Sequence, residues 1–100
     1  MYGFGGVPKF PEYTTYDTDH CFPLTGNPQQ HEVHGLEGIT ECYMNALKNV
    51  VLCGPTLFGP LIKKASEIAK NNIGKDIYTV LLILTDGVID DMKESISLIN

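Results

Sequence analysis

A threonine and an aspartate are the residues in this chain whose types and positions best suit chemistry. Asp86 lies in the Thr-Asp-Gly segment 85–87, directly after five consecutive apolar residues at 80–84. Thr56 lies in a Gly-Pro-Thr loop that comes just before a predicted helix. Hydroxyl and carboxylate oxygens are hard ligands of the kind that Mg²⁺ and Mn²⁺ prefer. The two positions therefore indicate a divalent-metal site.

Both residues also have ordinary interpretations. A threonine just ahead of a helix is a common capping residue, because its hydroxyl accepts a hydrogen bond from a free backbone N–H group. An aspartate after a strand can be a turn residue, a helix cap or a general base. The spacing of Thr56 and Asp86 does not decide among these roles.

Two other groups of polar residues are weaker candidates. His31 and His34 are three residues apart, whereas the helix of a zinc protease places its histidines four apart, so we expect both in a surface loop. Asp90 and Asp91 form an acidic cluster with Asp86, but the cluster lacks the pattern of a phosphatase. Carboxylates at this position are typical of a solvated helix start, where the helix dipole favours negative charge.

The composition excludes some classes of function. The 100 residues suit one domain, and seven lysines, no arginine and twelve acidic residues give a net charge of −5, which argues against nucleic-acid binding. The three cysteines are odd in number and form no CxxC pair, which predicts reduced thiols in an intracellular protein. The longest apolar run is shorter than the ~18 residues that a membrane span requires.

The elements that must position Thr56 and Asp86 alternate between strands and helices. In chain order, the spacing of apolar residues predicts a strand end at 2–5, an edge strand at 20–24, a helix at 36–50, a helix from Pro60, a strand at 80–84 and a helix from Met92. The apolar faces that we expect to be buried are Leu36, Ile39, Tyr43, Ala46, Leu47 and Val50 in the first helix, Leu61, Ile62, Ala65, Ile68 and Ala69 in the second, and Ile96 and Ile99 in the third.

This alternation predicts an α/β layered sheet. The uninterrupted apolar run at 80–84 is typical of a parallel strand that is covered on both faces. Ligands of open α/β sheets bind at the carboxyl ends of such strands. We therefore expect Asp86 at the binding edge of the sheet.

Several segments together resemble the copine version of the von Willebrand factor A domain. They are YGFGGVP, GNP, GLEGITECYMNALKNVVLCGPTLFGPLIKKASEIA and YTVLLILTDGVIDDMKESI, which occur in the family's order over nearly the whole chain. The resemblance implies a Rossmann-like, doubly wound, mostly parallel sheet with helices on both faces. It also implies that residues 1–100 are the central part of such a domain, with the first central strand and the last strands missing.

The resemblance implies a particular metal site. A domains of this type hold a divalent ion with a D-x-S-x-S loop, a threonine from a second loop and an aspartate from a third. Thr56 matches the second element and Asp86 matches the third, while D-x-S-x-S does not occur in this sequence. Binding of Mg²⁺ or Mn²⁺ is therefore expected to be weak or absent in the isolated chain. Thr85 is expected to be structural, and Gly87 to allow a tight turn.

The same resemblance implies a non-enzymatic function. Copines carry two calcium-binding C2 domains that dock on phospholipid, which here would lie outside the chain, and an A domain that recruits protein partners. The expected protein is cytoplasmic, associates peripherally with membranes and acts in signalling. The alternatives are an A domain that recruits substrates to a RING-type ubiquitin ligase, and an α/β hydrolytic enzyme that uses Asp86 as base or nucleophile.

If these strands are missing, we expect the chain to associate with another chain. A strand as apolar as 80–84 cannot leave its backbone edge in water without inviting another chain to pair with it. We expect this chain to pair with a second copy or with a segment outside the sequence, or to aggregate.

Overall fold

The computed structural model describes residues 1–11, 13 and 17–99. It mixes short strands with three helices, so the prediction of a chain that contains both α and β elements is confirmed. In chain order the elements are β1 Tyr2–Gly3, β2 Gly6–Pro8, β3 Phe22–Pro23, α1 Gly35–Asn49, β4 Val50–Leu52, α2 Gly59–Asn71 and α3 Met92–Ile99. Within these ranges no helix combines the length and the apolar character that a membrane crossing needs.

The strands form two small ladders. β1 pairs with β3, with Tyr2 opposite Pro23, and β2 pairs with β4, with Gly6 opposite Leu52. The predicted strand end and edge strand are both present, and they pair with each other. In the described part of the chain both ladders are antiparallel, so the predicted parallel sheet is not found there.

The apolar core lies where β3 meets α1. Phe10, Phe22 and Ala46 are buried against one another. Gly26 has a φ of +80°, and a Cβ at this position would lie 2.5 Å from the Phe10 ring. Glycine is therefore required at this turn both by the backbone conformation and by the close approach of the ring.

The predicted buried face of α1 is mostly wrong. Of its members Ala46 is buried and Val50 is half-buried, and Cys42 is buried in addition. The exposed members are Leu36, Ile39, Tyr43 and Leu47, and Leu36 is 80% exposed. The helix has 15 residues, and its buried Ala46 packs against Phe10 and Phe22. So small a core cannot cover an amphipathic face of that length.

The helix α2 agrees with its prediction. It begins at Gly59, one residue before Pro60, which suits the first helical turn because proline has no N–H group to leave unpaired there. Leu61 and Ile62 are buried, and the remaining predicted members of the face, Ala65, Ile68 and Ala69, are half-buried.

The helix α3 begins at Met92 as predicted, but the two isoleucines of its predicted face are not buried. Ile96 and Ile99 are 50% and 72% exposed, whereas Ser95 is buried. α3 packs against α2, and the Ser95 hydroxyl donates a hydrogen bond to Asp91. Ile96 and Ile99 line an apolar groove with Phe58 and Ile62, so they face the protein as predicted, but the groove is open and leaves them exposed.

The prediction of a buried strand at 80–84 is also wrong for this chain. The segment forms no strand, and Val80, Leu82 and Leu84 are 72%, 77% and 79% exposed. A β-strand is stable when a neighbour satisfies its backbone N–H and C=O groups. None of the described residues pairs with this segment in a ladder.

The three cysteines are free thiols, as predicted. Cys42 is buried, Cys21 is half-buried and Cys53 is exposed. Burial raises the pKa of the Cys21 thiol, with a further contribution from Asp19, and burial likewise raises the pKa of the Cys42 thiol. Both thiols are therefore protonated and weakly nucleophilic near neutral pH.

Candidate functional site

The loop that carries Thr56 is joined to the loop that carries Asp90. The Thr56 N–H donates to an Asp90 carboxylate oxygen at 2.7 Å, and the Asp90 N–H donates to the Thr56 carbonyl oxygen at 2.7 Å. These residues are 34 positions apart in sequence. The reciprocal pair fixes the segment before α2 against the segment before α3.

Asp91 adds a second connection between the same segments. Its carboxylate accepts hydrogen bonds from the Phe58 N–H at 2.9 Å and the Gly59 N–H at 2.8 Å, and from the Ser95 hydroxyl at 3.2 Å. Phe58 is the N-cap residue of α2, so Asp91 caps that helix from a different part of the chain. A carboxylate at a helix N-terminus is favoured because free N–H groups and the helix dipole both point toward it.

The electrostatics of Asp91 follow from these contacts. Partial desolvation acts to raise the pKa of Asp91, but the N–H groups of Phe58 and Gly59 and the hydroxyl of Ser95 outweigh it. The net effect is a pKa below the ordinary aspartate value. These donors favour the charged carboxylate, so Asp91 is ionised at neutral pH.

The position of Asp91 corrects one prediction. Asp91 directly precedes α3, and its carbonyl oxygen accepts the Ser95 N–H at 2.9 Å, so the acidic cluster does stand at a helix start. Asp91 as a whole is half-buried, however, and its carboxylate binds the N–H groups at the start of α2. A Cβ at Gly59 would lie 2.9 Å from an Asp91 carboxylate oxygen, which explains the glycine at the start of α2.

The capping role considered for Thr56 is wrong. The N-cap residue of α2 is Phe58, and no N-cap side chain bonds to the helix. Among the described residues, the Thr56 hydroxyl has no hydrogen-bond partner, and the exposed Asp86 carboxylate has neither a hydrogen bond nor an ion pair. The structure uses the backbone of Thr56 and leaves both side-chain oxygen groups uncommitted.

The two neighbours of Asp86 behave differently. The Thr85 hydroxyl accepts a hydrogen bond from the Gly87 N–H at 3.4 Å, which fits the structural role predicted for Thr85. Gly87 is not among the glycines with positive φ, and a Cβ there would meet nothing within 4 Å. The chain does bend at Asp86 and Gly87, but this bend does not depend on the conformational freedom of glycine.

The connection through Asp90 limits how far apart the two candidate ligands can lie. Asp86 precedes Asp90 by four residues, a stretch that spans at most about 14 Å even when fully extended. Asp90 in turn touches Thr56. Within the described residues, no three side chains of the histidine, cysteine, aspartate and glutamate types lie close enough together to hold a metal ion. The limit allows Thr56 and Asp86 to lie near each other, and the two residues together would be two of the six ligands that Mg²⁺ requires.

The two histidines of the predicted surface loop differ in their exposure. His34 is exposed and directly precedes α1, as expected. His31 is half-buried and its ring stacks on Tyr2, with ring centroids 5.3 Å apart and an interplanar angle of 27°. The two rings line a cleft of about 450 Å³ together with Cys21 and Lys64.

Asp91 is the important residue that sequence reasoning missed. Two adjacent aspartates precede α3, although one residue is enough to cap a helix. That surplus is the signal that could have indicated a second role. The recipient of the second carboxylate lies 33 residues away, a distance that no local pattern reports.

Comparison with known proteins agrees with the resemblance found in the sequence. The chain is 46% identical over 96 residues to Protein BONZAI 1 and 44% identical over 96 residues to Protein BONZAI 2, both from Arabidopsis thaliana, with 94% of this chain covered. It is 37% identical over 101 residues to Copine-A from Dictyostelium discoideum, with 99% covered. The chain spans 16% of the length of each of these relatives. A family model described as Copine matches residues 1–100, and the chain therefore belongs to the copine family.

Proposed function

We propose that this chain is part of the A domain of a copine and contributes to a divalent-metal-dependent protein-interaction site. In this proposal Thr56 and Asp86 supply oxygen ligands to Mg²⁺ or Mn²⁺. The observation that carries it is the reciprocal hydrogen bonding of Thr56 with Asp90, which holds the two ligand-bearing loops together.

The chemistry of the donors supports the proposal. Asp90 and Asp91 use their carboxylates to bind backbone N–H groups. Among the described residues, the Asp86 carboxylate and the Thr56 hydroxyl have no such commitment. Both are hard oxygen ligands, which fit Mg²⁺ or Mn²⁺ and do not fit a soft metal.

Two protein ligands give weak binding, because Mg²⁺ gives up its water shell reluctantly. The remaining positions would be filled by water, by other parts of a longer protein and by a partner. When bound, the ion would attract an acidic side chain of that partner. Partner recruitment would then depend on the metal.

A binding role fits Asp86 better than a catalytic role. A general base or nucleophile needs a second group that orients or activates it. Within the described ranges no histidine or other acid contacts the Asp86 carboxylate through a hydrogen bond. We therefore propose that the chain has no enzymatic activity of its own.

Family membership supports further proposals about a complete copine. We propose that C2 domains outside this chain bind Ca²⁺ and phospholipid, and that the whole protein is cytoplasmic, associates peripherally with membranes and acts in signalling. We also propose that the complete A domain has a mostly parallel, Rossmann-like sheet. Residues 80–84 would join that sheet as a strand once a neighbouring strand pairs with them.

Calorimetric titration of Mn²⁺ into this chain tests the metal site. We expect weak binding that Asp86→Ala and Thr56→Val each reduce about tenfold or more, because each removes one of two protein ligands. Asp76→Ala is the matched control, since it removes the same charge from another exposed position. If Asp76→Ala and Asp86→Ala weaken binding equally, the ion is held by net charge and the proposed site does not exist.

A further inference from the structure

The loop 54–57, which carries Thr56, is held in place through a single residue. In the described chain the backbone hydrogen bonds of this loop are those of Thr56, and both of them are made with Asp90. The Thr56 N–H donates to the Asp90 carboxylate, and the Thr56 carbonyl oxygen accepts the Asp90 N–H, each at 2.7 Å. Asp90 therefore fixes the loop at the residue that bears the candidate ligand hydroxyl.

Packing adds little to this restraint on the side of the loop that precedes Thr56. Gly54 and Pro55 are exposed, and a Cβ at Gly54 would meet no atom within 4 Å. Pro55 has no N–H group with which to make a further hydrogen bond. Without Asp90, this part of the loop is free to take up other conformations.

The carboxylate supplies the stronger half of the connection. A hydrogen bond that an ionised oxygen accepts is shorter and stronger than one between neutral groups. The alanine variant at position 90 keeps the backbone N–H group and loses the carboxylate. It therefore removes the bond to the Thr56 N–H and leaves the bond to the Thr56 carbonyl oxygen.

The same residue stands close in sequence to the other candidate ligand. Asp90 lies four residues after Asp86, and its contact with Thr56 spans 34 positions. The apparent affinity of a site falls in proportion to the fraction of molecules in which its ligands are correctly placed. A restraint on the Thr56 loop therefore raises metal affinity without any contact between Asp90 and the ion.

We propose that Asp90 is a positioning residue of the metal site, which holds the Thr56 hydroxyl in place through the Thr56 backbone and does not bind the ion itself. This inference rests on the proposed function. It gives Asp90 two properties: it acts as a hydrogen-bond acceptor rather than as a charge, and its whole effect passes through Thr56.

Calorimetric titration with Mn²⁺ tests the first property. Asp90→Ala should weaken binding about three- to tenfold, because it lowers the fraction of molecules with the loop in place. Asp90→Asn should bind within about twofold of the wild type, since its amide oxygen accepts the same N–H group without the charge. Asp76→Ala removes a charge from another exposed position and is the control. Equal losses in Asp90→Ala and Asp90→Asn would overturn the proposal.

A double variant tests the second property. Thr56→Val removes the hydroxyl and keeps the backbone groups that contact Asp90. In that background Asp90→Ala should weaken Mn²⁺ binding by no more than about twofold, because there is no hydroxyl left to position. A direct ligand would instead show its full loss in both backgrounds, and that result would contradict the positioning role.

Water exchange of the Thr56 amide, measured by nuclear magnetic resonance in the metal-free chain, reports on the loop alone. The exchange should be faster in Asp90→Ala and close to the wild-type rate in Asp90→Asn. An unchanged rate in Asp90→Ala would overturn the proposal.

The failures of the two proposals have different signatures. If Asp86→Ala and Thr56→Val weaken Mn²⁺ binding but Asp90→Ala does not, the positioning role alone is wrong. If Asp86→Ala and Thr56→Val leave binding unchanged, the metal site does not exist and the positioning role falls with it.

Discussion

Asp91→Ala is expected to lower the free energy of unfolding by about 2–3 kcal/mol, because it removes a charged acceptor from two backbone N–H groups. The N–H groups of Phe58 and Gly59 would lose their partner at the start of α2. The contact between the segments before α2 and α3 would then rest on Thr56 and Asp90. Urea denaturation followed by circular dichroism would measure the loss.

Asp86→Ala is the matched control for this loss. Asp86 lies five residues before Asp91 on the same segment and is exposed. A surface substitution without such contacts changes stability by no more than about 0.5 kcal/mol. If the two alanine variants were equally stable, Asp91 would not connect the two segments.

The pH dependence of the free energy of unfolding is a second test of the role of Asp91. The pKa of Asp91 is lowered in the folded state, whereas an aspartate in the unfolded chain has a pKa of about 3.9. The stabilisation from Asp91 is thus fully present above pH ~4 and is lost as the pH falls through the lower folded pKa. Asp91→Asn should abolish this part of the acid sensitivity. An unchanged acid profile in Asp91→Asn would contradict the assignment.

Phe22→Ala is expected to have the largest effect on stability, about 3–5 kcal/mol, because it opens a cavity in a small core. Phe22 is 2% exposed and packs with Phe10 and Ala46. A loss of that size is a large share of the 5–15 kcal/mol that typically stabilises a domain. Thermal denaturation should show either a large drop in Tm or an unfolded chain at room temperature.

Phe4→Ala is the control for the core prediction. Phe4 is half-buried and makes an edge-to-face contact with Phe58, with ring centroids 5.3 Å apart. The same side chain is removed, but fewer packed neighbours are lost, so the destabilisation should be clearly smaller. Equal losses in the two variants would show that the core does not centre on Phe22.

The predictions that succeeded rested on local signals. Pro60 and the spacing of Leu61 and Ile62 predict the start and the inner face of α2 from within one turn. The aspartates before Met92 likewise indicate the start of α3, although in the structure their carboxylates bind the segment before α2. Helix starts are readable from sequence because capping and the missing N–H group of proline act within a few residues.

The predictions of burial that failed concern apolar surfaces that need a second element to pack against them. The apolar character of 80–84 marks a segment suited to burial, but no described strand pairs with it. Leu36 and Leu47 on α1 are exposed for a similar reason, since the small core around Ala46 does not extend to them. Hydrophobic spacing reports what a segment could bury, whereas burial depends on what the rest of the molecule supplies.

At the candidate site, too, local features could be predicted from the sequence and long-range contacts could not. Thr56 and Asp86 could be selected because each stands in a short motif of recognisable chemistry. The contacts that hold their loops together, from Asp90 and Asp91, link residues 32 to 34 positions apart. Pairings at that separation depend on how the helices pack against each other. The spacing of residue types along the sequence does not predict this packing.

The most direct test of the metal site is paramagnetic line broadening by Mn²⁺ in nuclear magnetic resonance spectra of this chain. A bound Mn²⁺ broadens the signals of nearby protons, so one ion shared by both loops must affect both at the same concentration. We predict that the amide signals of Thr56 and Asp86 broaden together at the lowest Mn²⁺ concentrations, before those of Asp76. Broadening at Asp86 without Thr56, or at Asp76 and Asp86 alike, would contradict the account.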